Sequence, residues 1–72
     1  MKIIQVLSNI SYGDAVSNDA LNIDRILKKK GYLTSIYSIG IDNRLKNRVK
    51  EYKDIEKENL KESDVVIYHK AI

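Results

Sequence analysis

KIIQVLSNISYGDAVSNDALNIDRILKKKGYLTSIYSI, residues 2–39, decides the reading of the fold. Ile3, Ile4, Val6 and Leu7 make a nearly continuous apolar run, which suits a strand covered on both faces within a parallel sheet. From Val16 onward the apolar positions are Val16, Ala20, Ile23 and Leu27, with Ile26 beside them. Steps of four, three and four place them on one face of a helix. Lys28, Lys29 and Lys30 fall in its last turn, where cations suit the negative helix end, and Gly31 is placed to close it as the C′ residue. Leu21 lies about 120° from the middle of that stripe, so it requires either exposure or a second contact surface. Residues 32–39, with Tyr32, Thr34, Ile36, Tyr37 and Ile39, read as a second strand that ends at Gly40. A helix inside the connection makes the two strands parallel neighbours or near neighbours and excludes a hairpin.

Between the first strand and the helix, residues 8–13 break the apolar pattern, and Ser11 with Asp14 has the spacing of a capping box. Beyond Gly40, Leu45, Val49 and Tyr52 recur at helical spacing, so a second, more polar helix is expected over 43–53, capped by Asp42 or Asn43. Charged residues 56–63 have room for another turn or two. Val65, Val66, Ile67 and Tyr68 form a third strand, followed by His69 and Lys70. The expected class is α/β, a short and mainly parallel sheet. Periodicity leaves two strand orders open, 3-2-1 and 2-1-3. Few residues follow the third strand to shield the sheet, so a fragment of a larger domain is expected; a complete miniature protein protected by self-association along a sheet edge is the alternative.

A chain of 72 residues offers one domain at most and removes only about 60% of its unfolded surface from water. The composition is 43% hydrophobic with no proline, which favours regular structure over disorder. Thirteen basic against ten acidic residues give a net charge of +3, concentrated in Lys28–Lys30 and residues 44–53. That bias fits a solvated helix surface, and it also fits phosphates or an anionic membrane face met peripherally. The first apolar run is far shorter than the roughly 20 residues that span a bilayer. With no cysteine and one histidine there is no thiolate metal site, zinc cluster or cysteine nucleophile, and no metal is expected. Neither a dinucleotide glycine motif nor a P-loop is present, and the tyrosines are not interleaved with the basic residues as a nucleic-acid stacking platform requires.

Ligands of open α/β sheets meet the loops that leave the carboxyl ends of the strands. Those positions belong to residues 8–14 and to His69-Lys70. Backbone N–H groups around Gly13 and Ala15 are placed to cradle an anion or a hydroxyl-rich sugar. Asp14 would repel a diphosphate but accept hydrogen bonds from sugar hydroxyls; its structural alternative is a helix cap. Asn18 and Asp19 lie one turn further on, with Asp19 near the edge of the apolar stripe and in need of a donor. His69, the single imidazole, is the side-chain type suited to exchange a proton near neutrality.

The stretches GDAVSND (13–19), GYLTSIY (31–37) and DVVIYH (64–69) resemble the N-terminal domain of bacterial GT-B-type retaining glycosyltransferases. The resemblance implies a Rossmann-like three-layer segment with strand order 2-1-3, residues 1–72 forming the acceptor side of a larger two-domain enzyme. It implies transfer of a sugar from a nucleotide-sugar cosubstrate to an acceptor hydroxyl, carbohydrate or other. The donor would be held by a C-terminal domain not contained in this segment, and no cofactor would be bound by the segment itself. Residue by residue, it implies that Gly13 is the close-approach glycine of the first loop, that Asp14, Asn18 and Asp19 are acceptor-side polar groups, and that His69 is the catalytic histidine facing the transferred sugar. The setting implied is cytoplasmic, with possible peripheral attachment to the inner membrane face and no nucleic-acid partner. The rival expectation is a stand-alone α/β interaction or regulatory module.

Overall fold

In the computed structural model, which describes residues 1–70, the two strands of the opening stretch are central and parallel. β1 (Lys2–Ile10) pairs with β2 (Leu33–Ile41) from Lys2 opposite Leu33 to Ile10 opposite Ile41. The α-helix between them, α1 (Ala15–Lys29), begins at Asp14, whose carboxylate accepts from Ser17 N–H. The Ser11–Asp14 capping box is not formed: Asp14 is itself the cap, and Ser11 N–H instead donates to Ser17 Oγ (2.9 Å). Helix closure follows the sequence. Gly31 takes φ +89°, Gly31 N–H donates to Lys28 O and Tyr32 N–H to Leu27 O, the paired bonds of a Schellman motif.

The sheet is all-parallel and has four strands in the order β3-β2-β1-β4. This differs from the expected 2-1-3, because an unforeseen two-residue strand, β3 (Lys50–Glu51), adds outside β2 opposite Tyr37 and Ser38. The last apolar run, β4 (Val65–Tyr68), lies beside β1, from Ile3 opposite Val65 to Val6 opposite Tyr68. Ala71 and Ile72 lie outside the described residues.

β3 also breaks the helix expected over 43–53. In its place are a 3-10 turn at Asn43–Leu45, then β3, then a 3-10 helix at Tyr52–Glu58. The cause is the two-sided sheet. Leu45 and Val49 pack with Leu7, Ile10, Ala20 and Ile36 on the α1 face, whereas Tyr52 and Ile55 pack against Ile4, Val6 and Tyr37 on the other face. One continuous helix would carry all four residues on one side. Crossing the sheet edge at β3 lets the same segment cover both faces.

α1 is turned relative to its apolar stripe. Its buried residues are Ser17, Ala20 and Asp24, a rotation of roughly 60° from the 16-20-23-27 stripe at 100° per residue. Leu21 is half-buried and packs against the cluster containing Leu45 and Val49, so it has the second contact surface that its position required. The polar residues inside are mostly bonded: Ser17 Oγ by Ser11 N–H, and Asp24 by Lys28 Nζ at 2.9 Å.

Candidate functional site

Because β1 and β4 are parallel neighbours, the chain leaves both at the same end of the sheet. β4 pairs as far as Val6, and His69 N–H continues the ladder to Val6 O (3.0 Å). Side-chain alternation then turns His69 to the side opposite Tyr68. There its Nε2 lies 2.6 Å from Gln5 Oε1, while Gln5 Nε2 donates to Ala20 O of α1 at 2.9 Å. Gln5 is fully buried. Its amide nitrogen is committed to a carbonyl, so its oxygen faces the imidazole, and the network assigns the proton to His69 Nε2. In the neutral ring Nδ1 is then the acceptor. A buried amide fixed at both ends therefore sets both the orientation and the tautomer of the chain's single histidine.

His69 lines a groove of about 380 Å³ together with Val6, Leu7, Ser8, Ile39, Tyr52, Tyr68 and Lys70. Tyr52, from the 3-10 helix, and Tyr68, from β4, bring their hydroxyls to 3.4 Å, and this contact pushes the Tyr68 hydroxyl above its usual pKa. Ile39 and Tyr68 are strongly exposed, so the groove offers an apolar and aromatic wall with hydroxyls, while the His69 imidazole is turned to the α1 side by its bond to Gln5.

The other sequence-derived residues do not line this groove; they lie at the start of α1, the side to which the His69 imidazole also turns. Gly13 has φ +86°, and a Cβ built there meets no protein atom within 4 Å, so backbone conformation alone demands glycine. Asp14 Oδ2 is engaged by Ser17 N–H and Ser17 Oγ, both at 3.2 Å. Asn18 and Asp19 are exposed, and among the described residues their side chains make no hydrogen bond or ion pair. Asp19 lacks the donor it was expected to need because it is solvated; the buried carboxylate of α1 is Asp24. β1 runs four residues past the end of β4, about 13 Å at 3.3 Å per residue, which sets the Gly13 loop beyond the His69 groove along the strand direction.

Sequence reasoning missed three groups. Gln5 is one; its signal was a lone amide inside an apolar run. Another is the clamp on the Gly13 loop: Asp42 accepts from Tyr12 N–H and from Arg44 N, Nε and Nη2, while the Arg44 guanidinium stacks 4.4 Å from the Tyr12 ring centroid. Arg44 holds the Asp42 carboxyl down to about 2. The last is Glu58, half-buried outside the groove, which accepts from Tyr37 Oη, Lys2 Nζ (3.3 Å) and Lys50 Nζ (3.4 Å). Tyr37 chiefly, with Lys2 and Lys50, lowers the Glu58 carboxyl, and burial with Glu58 beside it raises the Tyr37 hydroxyl.

Among the described residues no cluster of His, Cys, Asp or Glu could hold a metal ion, and no helix is long and apolar enough to cross a membrane. Compared with protein-family models, with curated proteins and with solved structures, the chain gives no match.

Proposed function

We propose that the chain is the N-terminal, acceptor-side segment of a GT-B-type glycosyltransferase that moves a sugar from a nucleotide-sugar to an acceptor hydroxyl on the cytoplasmic side of the cell. The observation that carries this reading is the imidazole of His69, oriented by buried Gln5 on the α1 side of the sheet at the end of β4, with a tyrosine-lined groove on the other face of the same strand end. Aromatic walls suit the apolar face of a sugar ring, and the Ser8, Tyr52 and Tyr68 hydroxyls suit its ring hydroxyls. In the reaction the acceptor oxygen bonds to the anomeric carbon, the bond to the departing diphosphate breaks, and the acceptor hydroxyl passes its proton to the departing diphosphate oxygen. His69 would hydrogen-bond the transferred sugar. Negative charge grows on the diphosphate, and the groups that neutralise it would belong to a second domain, which would also hold the nucleotide. Gly13, Asp14, Asn18 and Asp19 would contact the acceptor from the α1 side.

The full-length protein, incubated with a panel of nucleotide-sugars and hydroxyl acceptors, is expected to give a glycosylated product. His69→Ala should lower kcat by about 100-fold, the scale of one lost transition-state hydrogen bond, while the variant stays folded with a stability loss of about 1–3 kcal/mol because buried Gln5 Oε1 loses its partner. Absence of product across the panel refutes the enzyme reading; equal rates in the variant remove His69 from the site.

One observation favours a second reading, a protein-interaction module. β4 is an edge strand whose Val65, Val66 and Tyr68 are all exposed, a template for strand addition by another chain. Pull-down of a partner that Val66→Lys abolishes, without any transfer activity, would select it.

A further inference from the structure

The two edges of the sheet differ. β3 offers two residues and β4 four, and β4 carries none of the devices that keep an edge unpaired: Val65–Tyr68 contains no proline, glycine or charge. Val65, Val66 and Tyr68 are 41%, 41% and 68% exposed. His69 N–H bonds Val6 O, so by alternation the N–H and C=O groups of Val66 and Tyr68 point away from β1, where no strand lies among the described residues. Pairing opposite Ile4 and Val6 sets the Val66 and Tyr68 side chains on the face away from α1 and leaves Val65 and Ile67 on the α1 face.

This edge is complementary to itself. When two copies of one strand pair antiparallel about a two-fold axis perpendicular to the sheet, each face stays continuous if even-numbered residues meet even and odd meet odd. An axis centred on Ile67 sets Val66 of each copy opposite Tyr68 of the other. Both outward-pointing residues then exchange backbone bonds, and a β-branched side chain meets an aromatic one. The same register sets Asp64 opposite Lys70. Before β4, Glu62 and Asp64 outweigh Lys61, and the neighbouring Lys2 is paired with Glu58, so this end of the strand is negative; Lys70 makes the other end positive. Antiparallel pairing brings the unlike ends together. Centring on Val66 sets Asp64 against Tyr68, and centring on Tyr68 sets Lys70 against Val66, so both registers lose the match. Addition through β3 bonds two residues only and, being head-to-tail, leaves free edges for further copies.

We propose that a second copy of the chain adds to β4, antiparallel and centred on Ile67, so that a closed two-fold dimer joins the two four-stranded sheets into one. The inference rests on the reading of β4 as an edge open to strand addition and names the chain that fills it. Tyr68 lines the groove with Tyr52 and Ile39, and Val66 of the second copy, opposite Tyr68 on that face, becomes part of the groove wall.

Sedimentation equilibrium of the full-length protein over a concentration series is expected to show a monomer–dimer equilibrium and no larger species. Val66→Pro, which removes an outward donor but no bond to β1, should abolish the dimer while circular dichroism shows the fold intact. Lys70→Glu should raise the dissociation constant about tenfold, since both symmetric contacts with Asp64 turn from attraction to repulsion. The chain has no cysteine, so Ile67→Cys introduces a single thiol. At the centre of the two-fold pair the α-carbons lie about 4.5 Å apart, within disulfide reach, and mild oxidation should link the copies at least about tenfold faster than in Lys29→Cys, whose thiol lies on the last turn of α1. If Val66→Pro unfolds, the other two variants decide. A monomer at every concentration, growth beyond a dimer, an undiminished dimer in folded Val66→Pro or in Lys70→Glu, or equal linkage rates in the two cysteine variants each overturns the proposal. A monomer that takes up a different protein at β4 overturns self-pairing but leaves the open-edge reading standing.

Discussion

Glu58→Ala probes how the 3-10 helix that supplies Tyr52 is held on the sheet. Glu58 accepts from Tyr37 Oη, Lys2 Nζ and Lys50 Nζ. The three donors lose it unequally. The Lys2 and Lys50 side chains are 33% and 58% exposed, so both ammonium groups regain water when the carboxylate is removed, and their pairing contributes little. Tyr37 is 2% exposed, so its hydroxyl is left without a partner in the interior. An orphaned buried donor costs about 1–3 kcal/mol, and about 2 kcal/mol is the expected loss. For 72 residues, total stability on the order of 4–11 kcal/mol makes that loss easy to see. Urea unfolding followed by circular dichroism reads it as a lower midpoint at unchanged slope. The mechanism is checked by adding Tyr37→Phe: with both polar partners gone, the double variant should recover most of the loss. The pH dependence follows from the same contact. The Glu58 carboxyl is lowered in the folded state, so its contribution is present above the unfolded pKa and disappears as pH falls through the lower folded value. Glu58→Ala should flatten that acid limb. A change below about 0.5 kcal/mol, or a double variant less stable than Glu58→Ala, refutes the orphaned-hydroxyl account.

Asp24 is buried, and among the described residues its Oδ1 has no hydrogen-bond partner, so Asp24→Leu should raise stability by about 1 kcal/mol in the same unfolding assay; a loss of that size would mean that the oxygen is satisfied. Arg44→Gln should let the Asp42 carboxyl climb from about 2 toward the ordinary carboxylate range in an NMR titration, because the side-chain bonds from Arg44 are the largest cause of its depression. Since that carboxyl is depressed, its contribution to stability is present above the ordinary value and lost as pH falls through about 2, a loss that the variant shifts to higher pH. An unmoved titration would assign the depression to the backbone N–H groups instead.

Local pattern settled the elements whose burial is one-sided or complete along a single run. The apolar residues of β1, the cap and Gly31 closure of α1, and the β-branched and aromatic run of β2 specify their conformations through neighbours a few positions away, and the α/β class follows from their succession. Val65–Tyr68 was legible as a strand for the same reason. Residues 43–58 were not, since helical spacing of Leu45, Val49 and Tyr52 says nothing about a sheet with two faces to cover; only the assembled sheet sends the first two to one face and Tyr52 to the other. The candidate site divides in the same way. His69 stood out as a lone imidazole after a strand, whereas its partner Gln5 is 64 residues away in sequence and meets it only because β1 and β4 are neighbours. Gln5 and Glu58 find their partners through packing, and a linear pattern of apolar positions carries no record of which distant group will face them, whereas Asp24 meets Lys28 one turn along its own helix.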